Sequence, residues 1–123
     1  MNMKLNMSNL NKTWIFDLDG TVVVHNGYRD LGEDILLEGA KEFINKLSEK
    51  DYVLIITSRS DQEKDNTINF LKKNNIRFDQ IIFGVPYGER IVINDRKPSG
   101  LDMAYSINTN RNYFPLIDYT EDF

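Results

Sequence analysis

Short apolar runs recur along the chain, and each has the composition of a buried β-strand. Four of these runs predict strands, at 13–18, 52–57, 80–83 and 90–93. The fourth run contains a β-branched triplet at 91–93, which is typical of a central strand that is covered on both faces. A weaker run predicts a fifth strand at 104–107.

Between these runs, apolar residues recur at helical spacing. The segment 39–50 carries an apolar stripe at positions i, i+3, i+4 and i+7, formed by Ala40, Phe43, Ile44 and Leu47. Ser60 and Glu63 match the S-x-x-E capping-box pattern, which predicts that a second helix begins there. Strands alternating with helices are typical of a parallel sheet with helices on its faces. We therefore predict an α/β fold, a three-layer sandwich around a central parallel sheet.

The composition of the chain mainly excludes several classes of site and partner. The 123 residues suit one domain, and 41% of them are hydrophobic, which is enough for a core. The net charge is −4 and no basic stripe is visible, so binding to nucleic acid is not expected. The chain has no cysteine, which excludes disulfides, thiolate zinc sites and cysteine nucleophiles. Its one histidine, His25, makes histidine-rich metal sites and serine–histidine triads poor candidates.

Two polar segments carry expectations of their own. Residues 1–11 lack the apolar core of a secretory signal, so we predict a flexible lead-in. No run is long enough to span a membrane, which favours a cytoplasmic protein. The glycine-containing segment 20–37 is predicted to form a flap, in which His25 and Tyr28 either touch a substrate or face the solvent.

Polar side chains cluster where three of the predicted strands end. They are Asp17 and Asp19 after the first strand, Thr57, Ser58 and Arg59 after the second, and Asn94 and Asp95 after the fourth. The carboxyl ends of parallel strands share one edge of a sheet, and sites form at that edge. We therefore expect these three sets of side chains to converge.

The residue types in this cluster indicate phosphoryl chemistry. Asp17 and Asp19 are two residues apart, so their carboxylates point to the same side of a regular strand and repel each other. A divalent cation resolves that conflict, and oxygen ligands from Asp17, Asp19, Asp95 and Asn94 suit Mg²⁺. One carboxylate could attack phosphorus and the other could serve as acid and base. The backbone at Gly20 and the hydroxyl of Thr57 could donate hydrogen bonds to phosphoryl oxygens.

Three motifs resemble those of the haloacid dehalogenase (HAD) superfamily. The stretch "FDLDGT" resembles its first motif, D-x-D-G-T, while "VLIITSR" is similar to the second and "IVIND" to the acidic fourth. The resemblance covers about 13–97 and implies a Rossmann-like fold and a Mg²⁺-dependent phosphatase. It implies Asp17 as nucleophile, Asp19 as acid and base, Thr57 as phosphate binder and Asp95 as metal ligand. The expected substrate contacts are Gly20, Thr21, Thr57, Ser58 and Arg59, although Arg59 could instead be a solvated surface residue.

The run "NTINFLKKNNIRFDQIIFGVPYGERIVINDRKPSG" carries a narrower resemblance. It is similar to short HAD proteins linked to capsule and surface-polysaccharide biosynthesis. That group has a lysine where this chain has Val85, and an acid where it has Asn94. A replacement cation could come from Lys97, Arg90 or Arg96. We place Lys97 first, because it follows the predicted fourth strand at the active edge, whereas Arg90 begins that strand at the opposite end.

The spacing between the motifs leaves no room for a cap domain, so the resemblance implies a capless protein. Capless members act on large substrates or borrow a lid from a neighbouring subunit, which makes a homo-oligomer a further expectation. A phosphorylated small molecule such as a sugar phosphate is the expected substrate. The absence of the lysine keeps a second hypothesis open, a non-catalytic module that binds a phosphorylated ligand.

Overall fold

The computed structural model describes residues 2–122, and the side chains of 4–122. In chain order the elements are β1 (Asn2–Asn6), β2 (Thr13–Asp17), α1 (Gly27–Asp30), α2 (Ala40–Lys46), β3 (Tyr52–Ile56), a 3₁₀ turn (Asp61–Glu63), α3 (Lys64–Lys73), β4 (Gln80–Ile82) and β5 (Leu116–Thr120). The predicted strands at 13–18, 52–57 and 80–83 are thereby confirmed to within one residue at their ends.

The larger sheet has the order β2-β3-β4, and all three strands are parallel. Helix α2 lies in the connection between β2 and β3, and α3 lies in the connection between β3 and β4. Asp17 is in register with Ile56, so β2 and β3 end side by side. The prediction of an α/β fold with a parallel sheet is confirmed, and the strand ends share one edge.

The core lies between this sheet and its helices. Trp14 and Phe16 of β2 contact the ring of Phe43 of α2, with centroids 5.5 and 6.3 Å apart. Ile55 of β3 is fully buried in the same cluster. Ile15, which points to the opposite face, is 50% exposed. The alternation along β2 therefore puts the packed layer on one face of the sheet.

The N-terminal segment is part of the fold, so the prediction of a flexible lead-in at 1–11 is wrong for its described part. Strand β1 pairs in parallel with β5, and the Met7 amide donates to the Thr120 carbonyl at 2.8 Å. Met7 is buried, and Tyr119 of β5 packs against Trp14 with ring centroids 5.4 Å apart. Position 1 lies outside the described residues.

The prediction of a central strand at 90–93 is also wrong. Ile91, Val92 and Ile93 are 81%, 56% and 94% exposed, and none of them lies in a strand. The physical reason is chain length, since only the seven residues 83–89 follow β4 before Arg90. A new parallel strand requires a crossover of about a dozen residues back to the other end of the sheet. The predicted strand at 104–107 is likewise absent from the structure.

The helices and the flap differ from prediction at their boundaries. Helix α2 ends at Lys46 because Leu47 is extended, at φ −62° and ψ 150°. Ser60 makes no side-chain cap hydrogen bond, and a 3₁₀ turn precedes α3. The predicted flap 20–37 is not a loose cover, since Val22 and Val23 within it are fully buried in the core.

Candidate functional site

The candidate site lies where β2 and β3 end. Asp17 is the last residue of β2, and Asp19 follows two residues later. Thr57 is the first residue after β3, and Arg59 lies two residues further along the chain. The Thr57 amide donates to the carbonyl of Ile82 at 2.9 Å, which continues the pairing of β3 with β4 to the sheet edge. The parallel register thus brings together the first two predicted sets of polar residues.

A tight turn after Asp19 shapes the site around Asp17. The amides of Thr21, Val22 and Val23 all donate to the carbonyl of Leu18, at 3.2, 2.9 and 3.1 Å. Gly20 has φ +85°, where an L side chain is strained, and a Cβ there would lie 3.3 Å from Cγ of Arg111. The Gly20 amide donates to the Val23 carbonyl at 2.7 Å, so it is already engaged and does not point to a ligand as the sequence predicted.

The carboxylate of Asp17 accepts two hydrogen bonds. Thr21 Oγ1 donates to one oxygen at 3.2 Å, and Arg90 Nη1 donates to the other at 3.0 Å. The side chains of Asp17 and Arg90 are 36% and 35% exposed, so this ion pair faces the solvent. The turn that follows β2 therefore leaves one carboxylate oriented and accessible at the sheet edge.

Arg90, rather than Lys97, is the cation beside Asp17. The sequence placed Arg90 at the far end of a strand, but the chain after β4 stays at the carboxyl edge instead. The chain just after β4 is held at that edge by the backbone amide of Gly84, which donates to the Arg59 carbonyl at 2.7 Å. Within residues 2–122 the ammonium of Lys97 forms no ion pair, while its backbone amide donates to Leu101.

Arg59 is the most engaged side chain of the site, and it is only 5% exposed. Nε and Nη2 donate to the two oxygens of Asp19 at 3.0 and 2.8 Å. Nη1 and Nη2 donate to the two oxygens of Asp34 at 3.0 and 2.7 Å, and Nη1 also donates to Thr67 Oγ1 at 2.9 Å. These bonds use every N–H group of the guanidinium, so no donor is left for the substrate contact that the sequence predicted.

The electrostatics of Arg59 follow from these partners. Burial by itself would lower the pKa of Arg59, but the hydrogen bonds that its guanidinium donates to the carboxylates of Asp19 and Asp34, together with the charges of those carboxylates, outweigh burial and raise that pKa. The ring of Tyr28 in α1 stacks 4.0 Å from the guanidinium carbon. Burial raises the pKa of Tyr28 above its ordinary value of 10.0, against the opposing charge of Arg59. Arg59 thus fastens the flap to the end of β3.

The hydroxyls of Thr57 and Ser58, two of the predicted substrate contacts, form hydrogen bonds within the protein, and only Thr57 is buried. Thr57 is 1% exposed, and its Oγ1 accepts the backbone amide of Arg59 at 3.1 Å. Ser58 Oγ donates to the carbonyl of Pro86 at 3.3 Å. The Val85 amide donates to the Thr57 carbonyl at 3.2 Å, which draws the chain after β4 across this turn.

The third predicted set, Asn94 and Asp95, does not join the first two. Both residues are exposed, and Asn94 Nδ2 donates to the carbonyl of Asp95 at 3.1 Å. They line an open cleft with Arg96, Asp102, Met103 and Ala104, and Asp17 and Asp19 are not part of its lining. Among residues 2–122, no group of three histidine, cysteine, aspartate or glutamate side chains is placed to hold a metal ion.

No known protein family, curated protein or solved structure gives a match to this chain. The likeness to the HAD superfamily therefore remains a resemblance of motifs. In the part of the chain that the structure describes, no helix has the length and apolar character needed to cross a membrane.

Three residues of this site were missed by sequence reasoning, namely Asp34, Thr67 and Asn112. Thr67 gave a usable signal, because it is a polar residue one helical turn before the buried Leu71 and so lies on the inner face of α3. Asp34 and Asn112 lie in polar segments without periodicity. The backbone amide of Asn112 donates to the Gly20 carbonyl at 2.8 Å, and the side-chain Oδ1 of Asn112 accepts from the backbone amide of His25 at 2.7 Å.

Proposed function

We propose that this protein is a phosphomonoester hydrolase in which Asp17 forms an aspartyl-phosphate. The observation that carries the proposal is the Asp17 carboxylate, which stands about one third exposed at the end of β2. One of its oxygens is oriented by Thr21, and a guanidinium from Arg90 stands beside the other. A nucleophile, its orienting hydroxyl and a cation for the transferred phosphoryl group are thereby in one place.

In the first step a carboxylate oxygen of Asp17 attacks phosphorus. The bond between phosphorus and the leaving oxygen breaks, and its electron pair departs with that oxygen. Arg90 uses one nitrogen on Asp17, and its other donors make no hydrogen bond within residues 2–122. Those donors can bind phosphoryl oxygens and offset the charge of the transition state.

In the second step water attacks the phosphorus of the aspartyl-phosphate. The carboxylate of Asp19, 18% exposed in its side chain, accepts the proton of that water. The bond between phosphorus and the Asp17 oxygen breaks, which releases inorganic phosphate and restores the Asp17 carboxylate. Asp19 then returns its proton to the solvent.

The residues at this edge do not fit Mg²⁺ as they are placed. Both oxygens of Asp17 accept hydrogen bonds, and both oxygens of Asp19 are held by Arg59. Asp95, the expected third carboxylate, lines a different cleft. The dependence on Mg²⁺ therefore stays a prediction, and the assay examines it by comparing activity in Mg²⁺ with activity in EDTA.

The test is phosphate release from a panel of sugar phosphates, nucleotides, aryl phosphates and acyl phosphates. Wild-type protein is compared with Asp17→Asn, which keeps the shape of the side chain but removes its nucleophilic charge. We expect turnover by the wild type and a loss of about 1,000-fold or more in the variant, since the variant lacks the covalent step. Equal rates in the two proteins would contradict the proposal.

A non-catalytic module that binds a phosphorylated ligand is the second candidate. It is favoured by Val85, which cannot neutralise a phosphate, and by the burial of Thr57. Titration calorimetry with inorganic phosphate separates the two candidates. Binding that depends on Arg90, without turnover of any member of the panel, would favour the module. The HAD-type three-layer fold and a lid from a second subunit stay predictions for either candidate.

A further inference from the structure

The candidate site has a further cationic side chain, Arg111, which comes from a distant part of the chain. Arg111 lies in a β-turn formed by residues 110–113, which is closed by a hydrogen bond of 3.1 Å between its last amide and its first carbonyl. Asn112 follows in the left-handed conformation, with φ 65°, and its backbone amide donates to the Gly20 carbonyl at 2.8 Å. The side-chain Oδ1 of Asn112 accepts from the backbone amide of His25. Two hydrogen bonds therefore hold the β-turn against the Gly20 turn.

The stem of the Arg111 side chain packs on the backbone at Gly20. A Cβ at Gly20 would lie only 3.3 Å from Cγ of Arg111, so the absence of a side chain there lets the stem approach closely. The next residue, Thr21, donates to the Asp17 carboxylate, so the stem borders the residues that position the proposed nucleophile. Because packing already positions the stem, the guanidinium loses less rotamer freedom when it binds a ligand.

The guanidinium of Arg111 has no partner in the described part of the chain. The side chain is exposed, and within residues 4–122 it forms no hydrogen bond and no ion pair. Arg59 and Arg90, by contrast, are engaged by carboxylates of the site. The chain carries 19 acidic residues against 15 lysines and arginines, so acidic partners are not scarce. The five N–H donors of Arg111 are therefore available to a group from outside the chain.

Arg111 and Arg90 lie at different parts of the site. Arg90 donates to Asp17, where the phosphoryl group would be transferred, whereas Arg111 packs three residues further along the turn, at Gly20. His25 borders the same place, with Nδ1 3.7 Å from the position that a Cβ on Gly20 would take. An imidazole carries at least one N–H in either of its protonation states. The site thus has one cation for the transferred phosphoryl group and a second set of donors beside it.

We propose, on the basis of the function above, that Arg111 binds a second anionic group of the substrate, with His25 beside it as a further donor. The substrate is then a phosphomonoester that also carries a carboxylate or another phosphate. The planar guanidinium suits both groups, because its paired N–H donors fit two oxygens at once. This class is narrower than the sugar phosphate expected from the resemblance, and Arg111 lies outside the segment 13–97 that carries the resemblance.

The experiment measures kcat and KM for pairs of substrates that differ in the second anionic group. Glucose 6-phosphate is paired with 6-phosphogluconate, glycerol 3-phosphate with 3-phosphoglycerate, and fructose 6-phosphate with fructose 1,6-bisphosphate. The first two pairs add a carboxylate and the third adds a phosphate, so the pair with the largest preference in the wild type shows which group the site takes.

In Arg111→Gln, kcat/KM for the preferred doubly anionic substrate should fall by about 10- to 100-fold, the effect of losing one charge-assisted contact. The loss should appear in KM rather than in kcat, because the contact is made equally in the ground state and the transition state. The singly anionic partner should change by less than about 3-fold, since an exposed charge acts weakly at a distance.

Two further variants separate a contact from a general effect of charge. Arg96→Gln removes the same charge from an exposed side chain in a different cleft, and it should leave every substrate within about 3-fold of the wild type. Arg111→Lys keeps the charge but loses the planar fork, so it should retain part of the preference for the second anion. A loss in Arg96→Gln as large as that in Arg111→Gln would contradict the proposal. Because Arg111 is exposed, an unchanged melting temperature should show that its variants are folded.

Failure of this proposal differs from failure of the proposed function. If Asp17→Asn abolishes turnover while Arg111→Gln affects both members of every pair equally, or neither, Arg111 does not bind a second anion but the proposed function stands. If no substrate is turned over, the proposed function fails, and titration calorimetry with the same pairs decides about Arg111. Tighter binding of a doubly anionic member that Arg111→Gln removes would support the contact without the reaction. Equal binding of both members, or none, would overturn it as well.

Discussion

Arg59 and Asp19 form a bidentate ion pair at 2.8 and 3.0 Å, and only 2% of the arginine side chain is exposed. The same guanidinium binds Asp34 and Thr67, so it joins β3, α3 and the segment after β2. A buried cation with satisfied partners is costly to lose, because its removal leaves carboxylates in the interior without compensation. Arg59 therefore contributes to the stability of the fold and also positions Asp19 at the candidate site.

Replacing Arg59 by methionine should lower the free energy of unfolding by about 3–5 kcal/mol, because two carboxylates lose their buried partner. Urea unfolding, followed by the fluorescence of the single tryptophan, Trp14, measures the change. The matched control is Arg96→Met, whose side chain is 73% exposed in its pair with Asp102 and should cost less than about 1 kcal/mol. Similar costs for the two variants would show that the Arg59 cluster is not buried in solution.

Replacing Arg90 by glutamine should weaken phosphate binding, or lower kcat/KM, by about 10- to 100-fold. The reason is the loss of one charge-assisted contact, which is worth about 1.5–3 kcal/mol. Stability should change little, because the pair with Asp17 is exposed. Lys97→Gln is the control, and a larger loss of binding there would restore the sequence-based prediction that Lys97 supplies the cation.

Removal of Arg90 should also change the response to Mg²⁺. In the wild type, Arg90 engages one oxygen of Asp17, so a cation has to compete with the guanidinium. In Arg90→Gln that competition is weaker, and Mg²⁺ should raise the melting temperature more than it does in the wild type. Thermal unfolding in millimolar Mg²⁺ and in EDTA gives the comparison. A strong stabilisation of the wild type that Arg90→Gln abolishes would contradict the arrangement seen here.

Ile55→Ala and Ile93→Ala test whether the segment 90–93 is a buried strand. Ile55 is fully buried, so its truncation should cost about 2–5 kcal/mol through lost burial and a cavity. Ile93 is 94% exposed, so its truncation should change the free energy of unfolding by less than about 0.5 kcal/mol. Chemical denaturation of both variants measures the two values. A cost above 2 kcal/mol for Ile93→Ala would place 90–93 in the sheet after all, since only a buried side chain reaches about that value.

The ionisation of Tyr28 should make the fold less stable in alkali. Burial raises the pKa of Tyr28 above 10.0 in the folded protein, outweighing the charge of Arg59, so the folded state holds the phenolic proton more tightly than the unfolded chain. That contribution is fully present below about pH 10 and is lost as the pH rises through the folded value. Between pH 8 and pH 11, the free energy of unfolding should fall less in Tyr28→Phe than in the wild type. The control is Tyr87→Phe, because Tyr87 is 92% exposed, and its free energy of unfolding should fall as much as that of the wild type.

The local spacing of apolar residues was enough to predict the part of the fold in which consecutive elements pack against each other. The apolar run of β2, the stripe of α2 and the run of β3 each follow from spacing alone, and a right-handed β-α-β connection leaves little choice of topology. The same pattern predicted that Asp17, Asp19 and Arg59 meet at one edge. That prediction held because the ends of adjacent parallel strands coincide whatever their side chains are.

What the sequence by itself determined is therefore the sheet β2-β3-β4 and the place of its first two polar sets. The tertiary structure alone decided that β1 pairs with β5, that Arg90 reaches Asp17 across 73 positions, and that 90–93 stays outside the sheet. These outcomes depend on which strand edges remain free and on how many residues connect one element to the next. The periodicity of a single segment determines neither quantity, because both depend on how distant parts of the chain pack together.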